Sequence, residues 1–353
     1  MHGRTIPWRV ETRTKASMAF AVIAALIVVA GFVAPVYLPR STLQDLFFIL
    51  TMLVLAQSWN LLAGYAGLVS VGQQAFVGLG AYAMFAGVVL LKLDPLVAIL
   101  LGGVAAAALA IPAGFFAFRL QGAYFAIGTW VVAEIVRLLV AQWKTLGGGT
   151  GTSLPSAATR AMFGMEIVQR LLGVRPAQAV DIICYWLALL LAVATIFTVY
   201  RLLRSRHGLA LASVRDNQEA ARAVGVDARR LKAMVYLTSA ALTGLVGALI
   251  YVQKARISPD AAFSVIDWTA YVIFIVVIGG IGTIEGPIVG VLIFFGLQKL
   301  LADFGSLYLL ALGLIGIVIM LFAPQGLWGL FASRTGIQLL PVRRLLRGGP
   351  IDN

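Results

Sequence analysis

Cysteine, histidine and acidic residues are scarce in this 353-residue chain, which has one Cys, two His and 14 Asp plus Glu. Cys184 lies in an apolar run with no Cys or His nearby, so a disulfide framework and a structural zinc site are both excluded. It reads as a small packing residue. His2 and His207 have no ligand spacing to another His, Cys or acidic cluster, and no metal is expected. No nucleophile, base and orienting acid can be assembled from positions this apolar, which argues against an enzyme. A G-x-x-x-x-G-K-[ST] phosphate loop is missing too, and Gly147 to Gly151 has neither its lysine nor the spacing of a dinucleotide site. No cofactor is expected, and any ATP must be hydrolysed by another chain.

The chain instead has apolar residues in excess: 61% hydrophobic against 12% charged, with a mean hydropathy of +0.97. That balance excludes an ordinary water-soluble domain. A helix needs roughly 20 apolar residues to cross the hydrocarbon, so the length allows about ten crossings. Charges are costly at the bilayer centre and therefore mark boundaries. Lys15 to Arg40 brackets one span, and the charge-free stretch from Asp45 to Lys92 has room for two, broken at Gly64, Gly67 and Gly72. Further spans run from Asp94 to Arg119, Gln121 to Gln142, Asp181 to Arg201, Lys232 to Lys254, Asp267 to Glu285, Gly286 to Lys299 and Phe304 to Phe331. The expected fold is an all-α polytopic membrane protein of about ten transmembrane helices with Gly-rich broken segments. The first run, Met18 to Leu38, follows basic residues as a signal peptide would, but it is long enough to span and reads as a retained helix.

The net charge of +13 would suggest nucleic acid in a soluble protein, yet the Lys and Arg cluster between apolar runs, where topology explains them. Threading ten spans from a cytoplasmic N-terminus places the basic segment from Arg201 to Lys232 and the C-terminal Arg334, Arg343, Arg344 and Arg347 inside the cell. The expected division is a cytoplasmic tail at 1–17, a transmembrane region at 18–331 and a cytoplasmic tail at 332–353. Within the transmembrane region, 143–178 forms a periplasmic loop and 204–231 a cytoplasmic one. Gly147 to Gly151 is expected to act as a flexible hinge or docking surface in the periplasmic loop.

The basic loop could be a topology determinant alone, but it contains more than charge. Asp216 three residues before Glu219 has capping-box spacing, and Gly225 follows where a helix can end. The run Glu219-Ala220-Ala221-Arg222-Ala223-Val224-Gly225 resembles the E-A-A-x-x-x-G element of binding-protein-dependent ATP-binding-cassette permeases, which docks into the ATPase subunit. The resemblance implies that Ala220, Ala221 and Val224 make the contact while Arg215, Glu219 and Arg222 face its rim. A short stiff helix there would carry ATPase closure back to the membrane as a lever.

Two segments are dense in glycine. Gly64 to Tyr82 includes Gly72, Gln73, Gln74, Phe76 and Gly78, and Gly279 to Pro287 includes Gly280, Gly282 and Gly286. Such residues allow either close helix packing or unwound backbone, and paired interruptions in a transporter point to its path. Glu134 and Arg137, at i and i+3 inside a span, lie on one helical face and can neutralise each other. A structural ion pair is the simpler expectation, and a gate or partner contact the sharper one.

These segments occur in order with Tyr124 to Thr129 and Ser258-Pro259-Asp260, and together they closely resemble the branched-chain amino acid ABC permease family, in particular its M-type subunit, over roughly Leu43 to Phe322. The family often has His-Ala where this chain has Gln73-Gln74. The resemblance implies an inner-membrane permease with a second, related permease subunit, two cytoplasmic ATPases and a periplasmic solute-binding protein as partners. By resemblance the cargo is Leu, Ile and Val, and permeases for urea, short amides or other amino acids would look much the same. An ion-coupled secondary transporter is the alternative class; it also tolerates broken helices but needs a coupling site of its own.

Overall fold

The computed structural model describes residues 9–11, 15–301, 307–336, 339–341 and 345–347. His2, Arg343 and Arg344 lie outside the described residues.

Eight helical segments among the described residues are long and apolar enough to cross a membrane: Ser17–Tyr37, Arg40–Tyr65, Pro95–Ala117, Ala123–Ala141, Pro176–Arg204, Ala228–Lys254, Pro259–Gly279 and Leu309–Thr335. With the shorter helices Gln73–Val89 and Glu285–Leu301 they account for the ten segments read from the charge ruler. The two short helices are 17 residues each, about 25 Å of rise against the roughly 30 Å of a hydrocarbon core. Both begin directly after a non-helical Gly-rich stretch.

In chain order the helices are α1 (Lys15–Tyr37), α2 (Arg40–Asn60), α3 (Gln73–Val89), α4 (Pro95–Ala117) and α5 (Ala123–Ala141). The loop that follows holds α6 (Ser156–Arg160) and α7 (Met165–Leu172), and α8 (Pro176–Arg204) then returns across the bundle. Next come α9 (Arg206–Asp216), α10 (Gln218–Ala223), α11 (Ala228–Lys254), α12 (Pro259–Ala262), α13 (Tyr271–Gly279), α14 (Glu285–Leu301), α15 (Leu307–Phe322) and α16 (Gly326–Thr335). Local chemistry sets several starts. Asp94 accepts from the Leu96 amide at 2.8 Å and Pro95 supplies a preset first turn to α4, while Asp227 accepts from the Arg230 amide at 3.0 Å at the start of α11.

The core is built where small residues let α3, α4 and α11 touch backbone to backbone. A Cβ on Gly80 would lie 2.3 Å from the Gly244 carbonyl oxygen, and one on Gly244 would lie 2.3 Å from the Ala106 Cβ. Trp59, Tyr82, Phe85 and Tyr251 fill the space beside this seam and are fully or almost fully buried. Outer faces carry apolar residues of the opposite kind: Leu100, Val104 and Ile111 of α4 are all more than 60% exposed, as a lipid-facing surface requires. The first helix is the extreme case. Only 6% of its apolar window is buried, and it is tied to α8 where Trp186 donates to the Phe32 carbonyl at 3.1 Å.

Two short sheets occur among the described residues. In one, β2 (Thr152–Ser153) pairs antiparallel with β3 (Arg256–Ile257) beyond the last turn of α11. Gly151 sits so close to the Ile257 carbonyl, 1.9 Å from where its Cβ would be, that the expected flexible hinge is a packed clasp. The second pairs β1 (Arg9–Glu11) antiparallel with β4 (Leu345–Arg347). Cys184 is fully buried and packs in the core as expected.

Candidate functional site

The two Gly-rich segments meet at the end of the bundle that carries α9 and α10. The helix α2 does not stop at Asn60 but widens into a π-turn at Leu61–Tyr65. Such turns are uncommon and often functional. The chain then unwinds and folds back along α2: Gly67 takes φ +68°, and the Trp59 indole donates to the Ser70 carbonyl at 2.7 Å to hold the returning strand. Gly72 rests on α5, where a Cβ would lie 2.2 Å from the Thr129 carbonyl oxygen, and the Val71 amide donates to the Thr129 hydroxyl at 3.1 Å. Only then does α3 begin. Gly78 and Phe76 lie inside α3 and are packing positions, against Phe263 and Tyr236 respectively.

The second segment is a turn between α13 and α14. Gly280 and Gly282 adopt φ of +132° and +77°, and the Thr283 hydroxyl donates to the Gly280 carbonyl at 2.8 Å while accepting from the Gly286 amide at 3.0 Å. Gly279 faces Gly286 too closely for any side chain, and Pro287 occupies the first turn of α14, where its missing amide costs nothing. The turn is clamped by α2. Asn60 donates to the Thr283 carbonyl at 2.7 Å and accepts from the Gly282 amide at 2.8 Å, and Gln57 donates to the Ile284 carbonyl at 2.6 Å. A Cβ on Gly64 would lie 2.6 Å from the Gly282 amide nitrogen, so the two interruptions are in direct contact. Gln57 was not singled out in the sequence, and Asn60 stood at the start of the first Gly-rich segment without a role of its own. The available signal was two amide side chains at i and i+3 within a charge-free apolar run.

The basic loop supplies the third part. Ser205 breaks the chain sharply after α8 and caps α9, accepting from the His207 amide at 3.2 Å. At the far end of α9, Arg215 reaches back and its Nη1 donates to the Gly64 carbonyl. Arg215 therefore grips the junction as well as facing outward. The following helix is capped differently from the expectation: Asn217, extended at φ −154°, accepts from the Glu219 and Ala220 amides at 3.0 Å, whereas Asp216 is the last residue of α9. Capping by Asn217 moves Glu219 out of the capping-box position. Gly225, at φ +86°, ends the turn after α10 as expected. Ala220, Glu219, Arg222 and Val224 are exposed, with Val224 at 78%, but Ala221 is 2% exposed and packs into the chain itself. The expected contact trio is thereby reduced to Ala220 and Val224. Between α9, the Gly282–Glu285 turn and α16 lies a cavity of about 400 Å³, whose wall is completed by Leu340, its amide donating to Glu285 at 2.7 Å.

Gln73 and Gln74 stand at the start of α3, each 2% exposed. Gln73 donates to the Leu55 carbonyl and the Thr243 hydroxyl, both at 3.1 Å, and the Gln74 oxygen accepts from the Thr269 hydroxyl. These amides join α3 to α2, α11 and the segment before α13.

Glu134 and Arg137 form the expected pair, with the Arg137 Nε 3.0 Å from each carboxylate oxygen. A third partner was not foreseen. The Arg137 Nη1 donates to Asp260 at 2.8 Å, linking α5 to α12 near the β2 end of the bundle. All three side chains are partly or largely exposed, at 43% for Glu134, 26% for Arg137 and 84% for Asp260, so the network sits at the edge of the bundle and not in its core. A Glu134→Gln, Arg137→Met double variant is expected to keep solute uptake within twofold of the parent in reconstituted vesicles. A tenfold loss with the protein intact would instead make the pair a gate.

Residues 41–323 match the family described as branched-chain amino acid transport system / permease component. The chain is 31% identical over 317 residues to the high-affinity branched-chain amino acid transport system permease protein LivM of Escherichia coli (strain K12), covering 86% of this chain and 74% of that one. The protein of the same name from Salmonella typhimurium is also 31% identical over 317 residues, covering 86% and 73%. A probable branched-chain amino acid transport permease protein LivM from Methanocaldococcus jannaschii is 25% identical over 216 residues, 61% of this chain and 57% of its own. No solved structure matches the chain.

Proposed function

The chain belongs to the branched-chain amino acid transport permease family, and on that premise we propose that it is the membrane subunit of an ATP-binding-cassette importer that moves branched-chain amino acids into the cell. It is a multi-pass membrane protein and a transport subunit. In the proposed assembly a second, related permease completes the membrane part, two cytoplasmic ATPases bind the face that carries α10, and a periplasmic binding protein delivers solute to the β2 end. Both termini then lie in the cytoplasm, and the membrane is the bacterial inner membrane.

One contact supports the mechanism above all others, the hydrogen bond from Arg215 to the Gly64 carbonyl. Ala220 and Val224 are exposed on α10, which is joined to α9 by Asn217 alone. A push on α10 therefore moves α9, and α9 pulls on the carbonyl of the π-turn. Because Gly64 touches Gly282, the same pull reaches the turn that starts α14. Both short helices begin at non-helical backbone, which can rotate without breaking a helical hydrogen-bond ladder. Alternating access follows if ATP-driven closure and release swing the π-turn end of α2 and α14 against the rigid α3, α4 and α11 seam.

Purifying the tagged chain from cells that express its neighbouring genes tests the proposal. ATPase subunits are expected to co-purify, and a Glu219→Ala, Gly225→Val variant is expected to retain less than a tenth of them. Gly225→Val forces a β-branched residue to φ +86°, which unwinds the end of α10 without touching the membrane core. Uptake by the isolated chain without ATP would overturn the proposal in favour of a secondary transporter.

A further inference from the structure

At the β2 end, far from the coupling junction, α2, α11, the π-turn Ile266–Ala270 and α14 enclose a cavity of about 250 Å³. Its walls include the apolar side chains of Met52 and Ile250 and the buried face of Trp268. Two opposite charges also line it, Lys254 and Asp267. They lie near enough to feel each other's charge but are not in direct contact. Among the described residues no ion pair joins them, and neither side chain has a hydrogen-bond partner. The Lys254 ammonium instead lies over the rings of Trp268, at 4.9 Å, and Tyr251, at 5.3 Å. A third lining group, the Gln253 amide nitrogen, is buried without a partner.

A buried donor without an acceptor costs about 1–3 kcal/mol, and partly desolvated charges cost more. Water answers part of that need, but the arrangement suits a particular solute. A cation alone would meet Asp267 and be repelled by Lys254, and an anion alone would meet the reverse. A molecule carrying an ammonium and a carboxylate on one carbon satisfies both charges together through charge-assisted hydrogen bonds. The volume is below the roughly 300–1,000 Å³ of drug-sized sites, so the solute is small. The apolar wall beyond the charges fits a hydrocarbon side chain.

We infer that this cavity is a binding site for a free α-amino acid with an aliphatic side chain. Lys254 and the Gln253 amide take the carboxylate, Asp267 takes the ammonium, and Met52, Ile250 and Trp268 cover the side chain. The inference rests on the transport function proposed above and adds a place inside the permease where cargo is held after release from the binding protein.

The test uses the complete importer in lipid nanodiscs without its binding protein, reading the tryptophan fluorescence change that Trp268→Phe removes. Leucine is expected to give a saturable change. 4-Methylpentanoate, which lacks the ammonium, and 3-methylbutylamine, which lacks the carboxylate, are expected to bind at least tenfold more weakly. In proteoliposomes supplied with ATP and the binding protein, Lys254→Met and Asp267→Asn are each expected to lower leucine uptake at least tenfold with ATPase subunits still bound. Lys254→Arg, which keeps the charge, should stay within threefold and so separates recognition from misfolding. Parental uptake by the Lys254→Met, Asp267→Asn double variant overturns the inference while leaving the transport function standing, as does equal binding of all three probes. If the parent complex fails to take up leucine with ATP, the proposed cargo itself is wrong.

Discussion

Arg215→Met is expected to lower ATP-dependent uptake at least tenfold while the ATPase subunits remain bound and continue to hydrolyse ATP. The side chain does two things at once: it projects from the last turn of α9, and its Nη1 occupies the Gly64 carbonyl. Methionine keeps much of the length and apolar stem and loses the donor. The Gly64 carbonyl is then left without that partner at a buried position, a cost of about 1–3 kcal/mol, and the π-turn is free to move independently of α9. Asn217, Ala220 and Val224 are untouched, so docking should survive. Measuring hydrolysis and uptake on the same vesicles checks this, because loss of both together would place Arg215 in assembly and not in transmission. A smaller loss for Arg215→Lys would show that charge without the guanidinium fork serves in part.

Gly244→Leu is expected to damage the helix core severely. Its first added carbon would already lie 2.3 Å from the Ala106 Cβ and 2.7 Å from the Gly102 carbonyl oxygen. Neither is the tip of a flexible side chain, so α4 and α11 must separate, and Gly80 of α3 is held in the same seam. Overpacking commonly costs about 1–3 kcal/mol and more where backbone must shift. At the upper end this lowers the melting temperature by about 10 °C, and loss of a monodisperse peak in detergent is the accompanying readout. Gly296→Leu is the matched control. It adds the same atoms to a helix at a position where a Cβ meets nothing within 4 Å, and it is expected to be neutral.

The membrane segments were legible in the sequence because charge is costly in lipid, and that cost spaces the Lys, Arg, Asp and Glu along the chain. The two Gly-rich interruptions were legible for a related reason, since their composition suits unwound backbone. That they touch each other was not, because Gly64 and Gly282 are 218 positions apart and nothing local encodes the contact. The amides that hold them together, Gln57 and Asn60, carry no local signal of the backbone groups they meet. The cap of α10 was misplaced by one residue because Asp216 and Asn217 are both good cap residues. The presence of α9, hidden within a run read as topology charge, decides between them by consuming Asp216. Ala221 was assigned to the outer face because the spacing of a motif does not say how its helix rolls against the core. Glu134 with Arg137 was readable from helical periodicity, whereas Asp260, 123 residues away, was not.

The pairing of Arg9 opposite Arg347 gives the small β1–β4 sheet a mechanical meaning. It joins the segment before α1 to the segment after α16. The first helix, though scarcely held by its neighbours, is thereby linked in series with the stretch whose Leu340 amide grips Glu285 at the head of α14. A displacement of that outlying helix has a covalent and hydrogen-bonded route to the turn that precedes α14.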